Sequence, residues 1–386
     1  KREMGITGSA PGCQVHGMRN QRMIPLFKPY PLLREKLPHV SLGGFPTPVR
    51  KLERLASDAG INQLYIKCDD QSGRVYGGNK MRKLEFILGH ALHSGIKEVL
   101  TFGFMGANHA MAMAVTAQQV GLRSISMMMP EPQLPYACSN LLMTYYCGAE
   151  LHHQRNKQLL IPATAYQLIR HKIKNGRLPL FISGRSTSPL GATGFVNAAF
   201  ELKEQVMAGE IPEPDYIYAA KGSGGTTAGL MLGIKAAKLK SRVVSVSAND
   251  RKTFSIRKVC QLYDKTALLL HSLDPSFPRL ECSDADLDIR YDFVGRGYAC
   301  PTEEGLKAMS LMEKNEGIRL DSTYTGKAFA CLLDDAGKGY LRDKIVLFWN
   351  TYNSRDFSDV IATVGYHRLP RGFHRYFERD GQPSGH

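Results

Sequence analysis

Short apolar runs alternate with stretches of helical rhythm along most of this chain. The runs Gln63–Lys67, Glu98–Phe102, Ser124–Met128, Leu180–Ser183, Tyr216–Ala220, Val243–Ser247 and Ile345–Trp349 predict strands. Between them, Arg82–His93, Ala110–Val120, Ser139–Tyr146, Leu159–Lys174, Val196–Met207 and Ala228–Ala237 predict helices. Alternation of this kind predicts an α/β fold in which helices cover both faces of parallel sheets. With 386 residues and 43% hydrophobic content, the chain exceeds what one core usually holds, so two open parallel-sheet α/β domains are expected. The proline-rich stretch Glu210–Asp215 marks a connection, and there is no internal repeat or low-complexity tract.

The longest uncharged run, Val99–Leu122, contains Gly103, Gly106, Asn108, His109, Gln118 and Gln119, which predicts buried core, not a membrane span. Residues 1–22 are polar and basic with no apolar signal core and are expected to be a disordered tail. The net charge of +15 comes from scattered basic residues with no nucleic-acid-reading motif, so it predicts a field that draws in anionic substrates, not a nucleic-acid partner. The densest basic cluster, Arg368, Arg371, His374, Arg375 and Arg379, includes Phe373, Tyr376 and Phe377 and predicts an amphipathic segment packed on the body. The eight cysteines lie far apart with no C-x-x-C pair, which predicts free thiols and a reducing, cytoplasmic setting. His90 with His93, and His152 with His153, lack acidic or thiol company at ligand spacing, so no metal site is expected.

Two local patterns carry chemistry. In Gly78-Asn79-Lys80-Met81-Arg82-Lys83, a lysine opens an apolar helix just after glycine and asparagine, placed to hold an aldehyde cofactor. In Gly222-Ser223-Gly224-Gly225-Thr226-Thr227-Ala228-Gly229, a glycine-rich turn from strand to helix aims backbone N–H groups and a helix dipole at one anion. No lysine follows this loop as in a P-loop, and its spacing misses Gly-x-Gly-x-x-Gly, which weakens nucleotide readings. A lysine and a phosphate cup together suggest pyridoxal phosphate.

Six blocks in order resemble one family. They are Leu42-Gly43-Gly44-Phe45-Pro46-Thr47-Pro48, Ile66-Lys67-Cys68-Asp69-Asp70, Gly77 through Glu85, Asn108-His109-Ala110, Gly222 through Gly229, and Tyr324-Thr325-Gly326-Lys327-Ala328. From about Pro25 to Thr363 the chain resembles the D-cysteine desulfhydrase and 1-aminocyclopropane-1-carboxylate deaminase branch of the fold-type II (tryptophan synthase β-like) pyridoxal-phosphate enzymes. The resemblance implies a large cofactor domain of residues 23–82 and 194–386, a small inserted domain of residues 83–193, an active-site cleft between them, and a homodimer. By the same resemblance, Lys80 forms the Schiff base with the cofactor and serves as base at the substrate α-carbon, and Asn79 belongs to the cofactor site. Lys83 with Gly222, Ser223, Gly224, Gly225 and Thr226 holds the phosphate. Asn108 meets the ring hydroxyl, the backbone of Ala107, Asn108 and His109 receives the substrate carboxylate, Tyr298 and Tyr324 face the substrate, and Thr351 sits near the pyridine nitrogen. In the cyclopropane-opening deaminases a glutamate follows the second tyrosine and supports that nitrogen. Thr325 here favours the desulfhydrase side, an α,β-elimination of D-cysteine to sulfide, ammonia and pyruvate.

Two departures stand out. The family reads Ser-Asn-His where this chain has Ala107-Asn108-His109, which removes a hydroxyl that moves protons opposite the lysine. It reads Gly-Gly after its threonine, where this chain has Tyr352-Asn353. Weakened or redirected turnover is therefore expected, with cyclopropane deamination, D-serine dehydration, β-replacement or a catalytically silent cofactor binder as alternatives.

Overall fold

Every predicted strand and helix forms in the computed structural model, which describes residues 23–130, 135–183, 186–250, 255–283 and 286–378. The tail expected over residues 1–22 lies outside the described residues. The strands are β1 (Val49–Lys51), β2 (Gln63–Lys67), β3 (Glu98–Phe104), β4 (Arg123–Met129), β5 (Glu150–His153), β6 (Leu180–Ile182), β7 (Tyr216–Lys221), β8 (Arg242–Ser247), β9 (Asp288–Arg290) and β10 (Ile345–Trp349). The helices are α1 (Pro31–Lys36), α2 (Glu53–Ala59), α3 (Asn79–His93), α4 (Asn108–Gln119), α5 (Pro135–Tyr146), α6 (Lys157–Asn175), α7 (Pro189–Met207), α8 (Gly225–Ala236), α9 (Ile256–Leu273), α10 (Glu303–Glu316), α11 (Thr325–Gly337) and α12 (Ser358–Ile361).

The strands make two sheets. A six-stranded sheet runs β1-β2-β10-β7-β8-β9, and a four-stranded sheet runs β5-β4-β3-β6. The smaller one is parallel throughout. The larger departs from the expected all-parallel arrangement at one edge, where β1 pairs antiparallel with β2, Val49 opposite Lys67. The break is confined to a three-residue edge strand and leaves the other five strands parallel, a common arrangement in mixed sheets.

Strand periodicity sorts side chains between layers. In the larger sheet, Ile217, Ala219, Leu347 and Trp349 point into a core with α7, α8 and α9. Their neighbours Tyr218, Ala220, Val346 and Phe348 point into a second core with α2, α10 and α11. In the smaller sheet, Val99 and Met128 face α3, α4 and α5, whereas Leu100, Ile125 and Met127 face Leu160 of α6. The uncharged run Val99–Leu122 thus becomes β3, α4 and their connections, largely buried as expected. No helix among the described residues is long and apolar enough to cross a membrane. The basic C-terminal cluster packs on the body as short 3-10 turns: Phe373 is buried, and His153 Nε2 lies 3.0 Å from the Tyr376 hydroxyl. Arg379 lies outside the described residues.

A buried ion cluster joins four elements under the lysine loop. The Arg82 guanidinium grips Asp69 through Nε and Nη2 at 2.8 and 2.7 Å, and Glu201 through Nη1 and Nη2 at 2.9 Å each. Lys67 Nζ donates to the same Glu201 at 2.6 Å and to the Thr47 carbonyl at 2.7 Å. Trp349 Nε1 donates to Asp69 at 2.8 Å. Two cations and two anions, all nearly solvent-free, tie α3, α7 and the strand ends of β2 and β10 into one frame.

Candidate active site

The site collects at the carboxyl ends of strands, where open α/β sheets present their ligand-binding loops. The turn after β2 leads into Gly77 and Gly78, and α3 starts at Asn79. Beside it runs the segment after β10: Asn79 N–H donates to the Thr351 carbonyl at 3.2 Å, and Gly77 N–H donates to Asn353 Oδ1 at 2.8 Å. Gly78 has φ +90°, and a Cβ there would lie 2.6 Å from the Tyr352 carbonyl oxygen and 2.8 Å from that of Thr351. Both obstacles are backbone, so Gly78→Ala is expected to lower stability by at least ~2 kcal/mol, through left-handed strain and the displaced loop. A urea denaturation midpoint within error of the parent would show that this packing is unimportant.

Lys80 lies in the first turn of α3, half-buried, with Nζ donating to Asn79 Oδ1 at 3.0 Å. Asn79 therefore touches the lysine itself. Lys83 is one turn on, 2% exposed. Its amine would stand 2.9 Å from a Cβ on Gly225 and lies 5.8 Å from the centre of the Phe195 ring. Burial, then the charge of Lys80, pushes the Lys83 amine well below its ordinary pKa. Among the described residues no carboxylate forms an ion pair with it, so the ammonium form awaits an anion.

The glycine loop supplies the place for that anion. β7 ends at Lys221, Gly224 takes a left-handed conformation at the N-cap, and α8 starts at Gly225. Ser223 Oγ and Thr187 Oγ1 share a hydrogen bond, and Thr226 is buried in the first turn. A Cβ on Gly222 would come 3.1 Å from Cε1 of Tyr324, so the bare backbone lets the ring lie flush against the loop. A buried cation, unobstructed N–H groups and a helix N-terminus together fit a phosphate, and the adjacent Lys80 fits the aldehyde of pyridoxal phosphate.

The third wall follows β3. Ala107 caps α4, but its own N–H donates to the Phe104 carbonyl at 3.0 Å. The Ala107 donor is thereby spent, whereas Asn108 and His109 open the helix, where N–H groups lack intrahelical partners. Asn108 Oδ1 accepts from Asn140 Nδ2 at 2.9 Å, so the end of Asn108 suited to a ring hydroxyl is its amide nitrogen. The His109 imidazole is buried, with Nε2 3.0 Å from Thr101 Oγ1 and Nδ1 3.0 Å from Ser186 Oγ. Burial, then the charges of Lys80 and Lys83, lowers its pKa to about 3, so it stays neutral and serves as scaffold.

Folding brings Tyr298 and Tyr324 together. Tyr324 Oη donates to Tyr298 Oη at 3.1 Å. Burial, then Tyr298, holds the Tyr324 phenol well above its ordinary pKa, so it stays protonated at neutral pH. Tyr324 caps α11, where Asp321 accepts from the N–H groups of Thr323, Tyr324 and Thr325. The Tyr298 loop is held by Lys327, whose Nζ donates to the carbonyls of Val294 at 2.7 Å and Gly297 at 3.2 Å. Thr351 is buried at the end of β10. Sequence reasoning missed Asn140, Asp321, and the positioning work of Lys327. Only Lys327 had a signal, its place in the block that starts at Tyr324.

Comparison with known proteins gives the family. Residues 40–351 match the family described as pyridoxal-phosphate dependent enzyme. A D-cysteine desulfhydrase of Klebsiella pneumoniae is 30% identical over 82% of this chain and 94% of its own. A Pyrococcus abyssi protein, named provisionally as a 1-aminocyclopropane-1-carboxylate deaminase, is 32% identical over 83% of this chain and 92% of its own. A crystal structure described as an ACC deaminase homologue superposes with a TM-score of 0.73 at 31% identity, covering 87% of this chain and 98% of that one. Similarity along this much of both partners makes the chain a pyridoxal-phosphate-dependent enzyme of the family that holds the D-cysteine desulfhydrases and 1-aminocyclopropane-1-carboxylate deaminases.

Proposed function

We propose that the enzyme is a D-cysteine desulfhydrase-like lyase that converts D-cysteine and water to sulfide, ammonia and pyruvate, at a rate weakened by Ala107. The observation that carries this reading is Thr325. It occupies the position where the deaminases place a carboxylate, is fully buried, and donates its hydroxyl to Asp321 Oδ2 at 2.8 Å. Of these residues, Thr351 would offer the bound cofactor's ring nitrogen a neutral hydroxyl, which suits loss of a good leaving group better than opening of a strained ring.

When bound, pyridoxal phosphate supplies an electron sink joined to the substrate α-carbon. Lys83, the loop Gly222–Thr226 and the α8 dipole hold its phosphate. Asn108 and His109 turn backbone N–H groups toward the substrate carboxylate. Lys80 takes the proton from the α-carbon, and the Tyr324 phenol, oriented by Tyr298, gives a proton to the departing sulfur. With a methyl at Ala107, proton movement on the face opposite Lys80 lacks its hydroxyl. Residues 23–82 with 194–386 would form the large unit and residues 83–193 the small one, in a homodimer working in the cytoplasm. Light scattering of the purified enzyme reads the subunit count.

Ala107→Ser is expected to raise kcat for D-cysteine by roughly 10² or more, read as sulfide and pyruvate released. Unchanged turnover would acquit Ala107, and fast turnover by the unaltered enzyme would remove the expected defect. Ala107 also favours a second reading, a cofactor binder without turnover, whose mark is a visible band that no amino acid perturbs.

A further inference from the structure

Sequence spacing sets the cysteines apart, but folding brings two together. Cys260 lies on α9, Cys282 lies in the segment that follows it, and their sulfurs stand 2.7 Å apart. A disulfide needs about 2.05 Å. Both side chains are only partly buried, so small reagents reach them. The approach is held from outside the sulfurs: Asp264, one turn along α9 from Cys260, accepts the Cys282 N–H at 2.9 Å. Asp286 accepts from the N–H and hydroxyl of Ser283 at 3.0 and 2.7 Å and pairs with Lys235 of α8 at 3.1 Å. By contrast, Cys68, Cys147 and Cys331 are buried, and Cys138 donates to the Tyr376 carbonyl.

We infer that Cys260 and Cys282 are a dithiol that a small-molecule disulfide oxidises to an intramolecular disulfide, stapling the segment after α9 onto that helix. One cysteine, as thiolate, attacks a sulfur of the reagent, forming a mixed disulfide and expelling one thiolate. The second loses its proton to solvent and attacks the protein sulfur of that mixed disulfide, expelling the other thiolate. Two protein thiols are oxidised and one reagent disulfide is reduced to two thiols. The residue before Cys260 matters to the site: Val259 Cγ2 would stand 3.0 Å from a Cβ on Gly224, so the staple closes on the turn that backs the phosphate loop. Burial, then Cys260, Asp264 and Asp286, raises the Cys282 thiol above its ordinary pKa. A protonated thiol reacts slowly, so oxidation quickens as pH rises.

The test is incubation of the folded holoenzyme with oxidised glutathione, followed by alkylation and non-reducing peptide mapping. The expected result is a Cys260–Cys282 linked peptide, with Cys68, Cys147 and Cys331 still alkylated after unfolding, and a melting temperature raised by several degrees. Cys282→Ser is expected to stop at a stable glutathione adduct on Cys260. Alkylation of both cysteines after oxidant, separate glutathione adducts on each, or linkage of either to another cysteine would overturn the inference.

Discussion

Lys80→Ala is expected to remove the cofactor's visible absorption band and to lower turnover of every amino-acid substrate by roughly 10³-fold or more. In the proposed mechanism one side chain has two duties, covalent anchor and proton carrier, so its loss is not shared among neighbours. The obvious substitute, Lys83, cannot step in: its amine is directed at Gly225 and the Phe195 ring one turn along α3. Borohydride reduction followed by peptide mapping reads this without activity. The label belongs on Lys80, and a label on Lys83, or a band that persists in Lys80→Ala, would reverse the assignment of the two lysines.

The next largest effect is on stability. Glu201→Ala leaves Lys67 and Arg82 facing Asp69 alone in a nearly solvent-free cluster, and an uncompensated buried charge costs about 3–5 kcal/mol. Burial by itself raises the Glu201 carboxyl, but the charges and hydrogen bonds of Arg82 and Lys67 outweigh it and hold the group at about 2, against 4.5 when unpaired. A lowered acid stabilises the fold only while ionised. Its contribution is complete above pH 4.5 and is lost as pH falls from 4.5 toward 2. Urea denaturation at pH 7 and pH 4, with equal cofactor saturation, checks both points. Glu201→Gln should flatten the acid limb, and a loss below ~1 kcal/mol in Glu201→Ala would mean that the cluster relaxes or admits water.

Legibility in the sequence followed how local each signal is. Central strands such as Ile345–Trp349 are buried on both faces and read as continuous apolar runs, which is why β2 and β10 match their expected bounds and β3, β4, β7 and β8 extend past theirs by one or two residues at an end. The edge strands β1, β5 and β9 are three or four residues long and carry charged or histidine residues, whereas the equally short edge strand β6 reads as an apolar run, Leu180–Ile182. Helix α10 buries only Gly305, Ala308 and Met312, so its hydrophobic rhythm is faint, although Thr302 and Gly317 cap it clearly. Helix α9 has a readable face, Val259, Leu262, Tyr263, Thr266, Ala267 and Leu270. It falls outside the predicted set because no strand-like run follows it before Ile345.

The lysine loop, the phosphate loop and the strand–helix alternation are legible in the chain because turn chemistry and periodicity act between residues a few positions apart. The assembled fold sets which of these signals meet. Trp349 reaches Asp69 across 280 positions, Glu201 reaches Lys67 across 134, and Tyr324 reaches Tyr298 across 26. It also set His109 against Ser186 and Cys260 against Cys282. Those outcomes depend on packing and on satisfying buried polar groups, which are properties of the assembled core and not of any short stretch of chain.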